Sequence, residues 1–132
     1  MLSENLQIYR DLFELSKALL TYQTNVPRMV RYGEYGKAVA LACEAMDMVY
    51  VANSNQCERE WATVRILQTT GGIRSRVRLF LEMGYLGKKQ GTYLALLIDK
   101  IQKQATGWRN KTIRQSREAA MRATREDNPY RG

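Results

Sequence analysis

GIRSRVRLFLEMGYLGKKQGTYLALLIDKIQKQATGW, residues 72–108, decides the fold: it holds two amphipathic segments that meet at a tight hinge, Met83-Gly84-Tyr85-Leu86-Gly87. The first segment sets Arg74, Arg76 and Arg78 around an apolar stripe of Ile73, Val77, Phe80 and Leu81. The second repeats a stripe at Tyr93, Leu94, Leu97, Ile98, Ile101, Ala105 and Trp108. Steps of three and four residues keep both stripes on one side of a helix, so the stretch reads as a helical hairpin. Gly84 follows the last apolar turn, where a left-handed cap costs a glycine least.

Working toward the N-terminus, a long helix is expected over about 57–83, starting on Trp61, Val64, Ile66 and Leu67. Thr69-Thr70-Gly71-Gly72 interrupts it, and each glycine costs about 1 kcal/mol against alanine in a helix interior. A kink, a close helix contact or a break into two helices is expected there. The glycine pair is not a phosphate loop, because no GxxxxGK[ST] pattern surrounds it. Before it, Ala52-Asn53-Ser54-Asn55-Gln56 is turn-prone, and a helix over about 34–53 points Val39, Ala42, Cys43, Met46, Val49 and Tyr50 inward. Its small residues, Ala38, Ala40, Ala42 and Ala45, allow close approach either within the chain or between subunits. Cys43 reads as a small core residue. Residues 28–36 read as a connection or an irregular helix start, set off by Pro27. The first helix, about 4–24, carries adjacent stripes of Ile8, Leu12, Leu15, Leu19, Tyr22 and of Leu6, Tyr9, Phe13, Leu20.

Toward the C-terminus, the last helix is expected to run from about Lys88 to Lys111 and then lose its apolar stripe. Residues 112–132 hold five arginines and little to bury. They read as a frayed or disordered basic tail, closed out by Pro129 and Gly132. The expected architecture is therefore all-α: an up-down-up-down four-helix bundle over residues 1–111, with a basic tail over 112–132.

The 132 residues suffice for one domain. No apolar run reaches the ~18 residues of a membrane span, and MLSENLQIYRDLF lacks the charged start and apolar block of a signal peptide, so a cytoplasmic location is expected. There is no histidine, which removes Ser-His-Asp and Cys-His catalysis and the common zinc sites. Glutamate-histidine pairs for a di-metal bundle are missing for the same reason. Two cysteines, Cys43 and Cys57, make no disulfide framework. No enzyme activity and no cofactor are expected.

Charge gives the positive lead. Residues 1–60 hold six Lys/Arg against eight Asp/Glu, a balance of −2, and residues 61–132 hold fifteen against five, a balance of +10. An excess confined to one half implies a polyanionic or acidic partner. Arg74 and Arg78 share a face, Arg76 points elsewhere, and Lys100 with Lys103 form a second pair, followed by Arg109, Lys111 and Arg114. Glu82, four after Arg78, is placed to neutralise it locally, whereas Arg74, Lys103, Arg109 and Lys111 have no evident acid nearby in sequence. Arginine forks suit phosphate, and Trp108 beside Arg109 reads either as core or as a stacking surface.

Several of these pieces carry a family likeness. Ile8-Tyr9 with Leu12, Val26-Pro27-Arg28, Arg31-Tyr32-Gly33, Ile73 to Leu81, Met83-Gly84-Tyr85-Leu86 and Gly107-Trp108 occur in an order that resembles a group of four-helix-bundle proteins, over roughly residues 6–111. The group contains the accessory variability determinant (Avd) proteins of diversity-generating retroelements. It also contains the proteins encoded in intervening sequences of large-subunit ribosomal RNA genes. The basic second half and arginine-bearing C-terminus point to the retroelement type. That resemblance implies a non-enzymatic partner of a reverse transcriptase, assembled as a basic ring, typically a homopentamer. Such a ring binds the reverse transcriptase and template RNA or DNA and supports mutagenic cDNA synthesis. The binding residues would be Arg74, Arg76, Arg78, Lys100, Lys103, Arg109, Lys111 and Arg114. Gly71-Gly72 departs from the family, where a continuous helix is usual. The alternatives are a structural bundle of the ribosomal intervening-sequence type and a small regulatory protein that binds only other proteins.

Overall fold

A computed structural model describes residues 2–126. Five α-helices follow in order: α1 Gln7–Tyr22, α2 Arg28–Tyr32, α3 Glu34–Ser54, α4 Arg59–Glu82 and α5 Lys88–Glu126. Among the described residues there is no strand. Helix α2 is little more than one turn and packs on α3. The four long helices pack in a cycle: α1 on α3, α3 on α4, α4 on α5, and α5 back on α1.

Side-chain pairs fix the directions. Asn53 donates to Ser3 at 3.1 Å, joining the end of α3 to the segment before α1. Glu44 meets Arg65 at 2.7 Å while Glu34, earlier in α3, meets Arg76, later in α4. Asp99 meets Arg74 while Gln102 donates to Thr70. Each adjacent pair thus runs antiparallel, as the short connections require, and the bundle is up-down-up-down. The core runs along its axis through Leu12, Leu15, Leu19, Tyr35, Ile66, Ile73, Phe80, Leu94, Ile98 and Ile101, all essentially sealed from solvent. Tyr35 lies against Phe80 with ring centroids 5.1 Å apart, and its hydroxyl donates to the Leu19 carbonyl.

The hinge at Gly84 forms as its sequence requires. Gly84 has φ +77°, its N–H bonds the Leu81 carbonyl at 3.1 Å, and the Tyr85 N–H bonds the Phe80 carbonyl at 2.9 Å. This is the Schellman arrangement, in which a left-handed residue turns the chain back onto the last carbonyls of the helix. At the start of α5, a Cβ on Gly91 would meet Leu81 at 2.6 Å, so the hairpin closes around a missing side chain.

Four expectations are decided. First, of the outcomes expected at Gly71-Gly72, the close helix contact is the one that forms: α4 is unbroken, and a Cβ on Gly72 would stand 3.1 Å from Leu41 of α3. The Thr69 and Thr70 hydroxyls donate to carbonyls one turn back, within the helix. Second, the inward face of α3 is Tyr35, Ala38, Ala42, Ala45, Val49 and Ala52. Cys43 and Tyr50 are exposed, so Cys43 is no core residue. The alanines, apart from exposed Ala40, are used inside the chain, because small side chains let α3 approach both its neighbours closely. Third, of the connection or irregular helix start expected over 28–36, residues 28–32 form the short helix α2, capped by Gly33, whose N–H bonds the Met29 and Val30 carbonyls. Fourth, α5 does not stop at Lys111 but continues as α-helix to Glu126, with Arg114 onward exposed. The expected closing residues, Pro129 and Gly132, lie outside the described residues.

Candidate nucleic-acid interface

The eight cations singled out in the sequence separate into two groups. On α4, Arg74 donates to Asp99 at 2.5 Å and to Gln102 at 3.0 Å, both on α5. The expectation that Arg74 lacks an acid is therefore corrected: the antiparallel hairpin supplies one from residue 99. Arg76 donates from Nη1 to the Gly72 carbonyl at 3.1 Å, and its Nε lies 3.2 Å from Glu34 of α3 as an ion pair without an aligned hydrogen bond. Glu34 is shared with Lys37, which donates to it at 2.9 Å. That bond and the charge of Lys37, with a smaller contribution from Arg76, hold the Glu34 carboxyl below the usual carboxylate range. Arg78 is exposed, and among the described residues no ion pair joins it to Glu82, so the local neutralisation expected there does not form.

On α5 the pattern differs. Lys100, Lys103, Lys111 and Arg114 are exposed, and among the described residues none has an ion-pair partner. At about 100° per residue these four fall within an arc of roughly 80° on one side of the helix. The buried stripe Leu94, Leu97, Ile98, Ile101, Ala105 occupies the other side. Packing thus aims these four cations outward, because the apolar residues take the core. Arg109 is half-buried and lies away from this arc. Trp108 is partly buried against the core, with the Arg59 guanidinium 5.9 Å from its ring centre, so it is a packing residue rather than an open stacking surface.

The structure therefore brings together Lys100, Lys103, Lys111 and Arg114, and sets apart Arg74, Arg76, Arg78 and Arg109. Arg122 and Arg125, expected in the tail, belong to α5 because the helix continues to Glu126. Their three-residue spacing, equal to that of Lys100 and Lys103, is the signal that could have revealed them.

The outer surface between α1 and α3 is chemically different. Phe13 and Leu20 of α1 and Tyr50 of α3 are about half exposed or more, beside Cys43 and partly buried Met46. They line shallow apolar depressions between α1 and α3. Among the described residues no group of His, Cys, Asp or Glu is placed to hold a metal ion, and no helix is long and apolar enough to cross a membrane. The chain matches no family model and no curated protein.

Proposed function

We propose that this chain is a non-enzymatic, nucleic-acid-binding accessory subunit that works beside a retroelement reverse transcriptase. The observation that carries the binding is the row of exposed, unpaired cations on α5. Cations without acidic partners keep their full attraction for phosphate, and a polyanion that docks on them releases condensed counterions. Such contacts give affinity and salt dependence without reading sequence. The reverse-transcriptase partner rests on the resemblance described above. A ring of copies would multiply the α5 surface, and the apolar depressions between α1 and α3 suit either a neighbouring copy or the polymerase.

The test is fluorescence anisotropy with a mixed-sequence labelled nucleic acid over a salt series. Binding at low salt that falls steeply toward moderate salt is expected, together with co-purification of the reverse transcriptase encoded beside the gene. The variant Lys100→Gln/Lys103→Gln/Lys111→Gln/Arg114→Gln should lose most of the salt-dependent binding while keeping its helical circular-dichroism signal. No binding at low salt, or binding that ignores salt and these substitutions, would remove this function. Location of the gene inside a ribosomal RNA gene, with no reverse transcriptase nearby, would favour the ribosomal intervening-sequence type.

A further inference from the structure

Helix α5 has a repeat that its apolar stripe conceals. Lys89, Lys100, Lys111 and Arg122 recur every eleven residues, and Lys103, Arg114 and Arg125 recur at the same interval, three residues behind. Eleven residues make almost three α-helical turns, so an eleven-residue pattern stays on one side of a helix with little drift. All of these positions are exposed, and among the described residues none has an ion-pair partner. They lie within an arc of about 100° and extend for roughly 54 Å along the helix, at about 1.5 Å per residue. One cation at Lys89, near the hairpin turn, and then three cation pairs thus follow about every 16 Å along one line, across the bundle and out along the exposed end of α5.

The face between the pairs is not basic. Tyr93 and Leu96 fill the first interval and Gly107 the second, all exposed, while Glu118 stands in the third. The surface is therefore a line of rungs, with an aromatic ring in its first gap.

We infer that this line is a track for one extended single strand of nucleic acid. The inference deepens the nucleic-acid reading above and rests on it. A duplex groove winds once around its axis in about 34 Å, so no single groove can stay beneath a line that continues for more than one full turn. A single strand has no fixed pitch and can straighten along the helix. Its phosphates meet the rungs, and its unpaired bases are free to stack in the gaps, where Tyr93 offers a π-face that accepts any base. Glu118, four residues from both Arg114 and Arg122, is the acid on this face, and it weakens the track at its outer end.

The experiment compares one labelled strand of about 16 nucleotides, near the upper end of single-strand site sizes, with its duplex. The full chain is expected to bind the single strand about tenfold more tightly, and Tyr93→Ala to remove about that factor from single-strand binding alone. With all seven cations engaged, the slope of log affinity against log salt should be about −5, and each cation pair removed should reduce its magnitude by about 1.4. Lys100→Gln/Lys103→Gln and Arg122→Gln/Arg125→Gln should therefore both reduce the slope, the second by somewhat less because Glu118 stands near Arg122, although the first pair lies on the bundle and the second beyond it. Arg10→Gln/Arg28→Gln, with the same change in net charge off the track, should leave the slope unchanged. Circular dichroism checks that each variant keeps its helix. Equal or tighter duplex binding, or an Arg122→Gln/Arg125→Gln variant that binds like the parent, would overturn the track while leaving nucleic-acid binding in place. Absence of binding to either form would overturn both.

Discussion

The part of α5 up to Thr112 and the part beyond it are one helix held by two different sets of forces. The first part buries Leu94, Leu97, Ile98, Ile101 and Ala105 against α1 and α4, and Thr112 is its last buried residue. The second part, from Arg114 to Glu126, buries nothing. Its helicity rests on local propensity, with strong helix formers such as the alanines at 119, 120 and 123. A free segment of that length would be marginal as a helix in water, because the first turn is costly to nucleate. Here the bundle provides the nucleus, and the extension needs only propagation. A core can thus export helical structure beyond itself and present charge on a defined line without packing against it.

The contrast can be broken most strongly on the packed side. Ile101→Ala should destabilise the fold by about 2–5 kcal/mol, measured by denaturant unfolding, because it leaves a cavity in the core. Ala120→Gly, in the extension, should leave the global midpoint unchanged and raise only local amide exchange, by about 1 kcal/mol of helix propensity. Equal effects would mean that the two parts unfold as one unit.

Alkaline pH should separate them next. Burial, with a smaller contribution from Tyr22, pushes the Tyr35 hydroxyl up to about 12. The unfolded chain gives up this proton near pH 10, so the stabilising contribution is complete below about 10 and disappears as pH rises toward 12. The loss should be about 2–3 kcal/mol in the bundle and absent from Tyr35→Phe, with no counterpart in the extension. Gly84→Ala comes third. It forces a side chain into the left-handed region and should cost about 1–2 kcal/mol of thermal stability. Smallest is Arg74→Gln, which removes an exposed ion pair and should cost less than about 1 kcal/mol in the same melt. A larger loss would show that the Arg74–Asp99–Gln102 cluster locks the hairpin.

What was legible in the sequence follows from how local each signal is. Gly84 and the apolar stripes on either side predicted the hairpin, because a cap and a periodicity are properties of neighbouring residues. The rotation of α3 was not legible, since alanines and larger apolar residues alternate around it and no stripe dominates. Only the neighbours decide that Ala42 and Ala45 face in while Cys43 and Tyr50 face out. Arg74 looked free because Asp99 is distant in the chain and becomes adjacent only when the hairpin closes. The end of α5 is hidden for the opposite reason: a helix without a buried face leaves no apolar pattern, and the pattern ends near Lys111 although the helix continues to Glu126. The basic positions on α5 were found in part, but the line through Lys89, Arg122 and Arg125 depends on the helix remaining continuous.

The Asp11–Gln104 bond, 2.7 Å long, spans 93 residues of sequence, whereas the other long helices meet partners that follow them through a short connection. The meeting of α1 and α5 is the seam of the bundle. Loop-closure entropy makes such a contact the slowest to form, after the three hairpins have already paid for themselves locally. A pulling force on the N-terminus would open this seam first, peeling α1 away while the α4–α5 hairpin and its basic face remain intact.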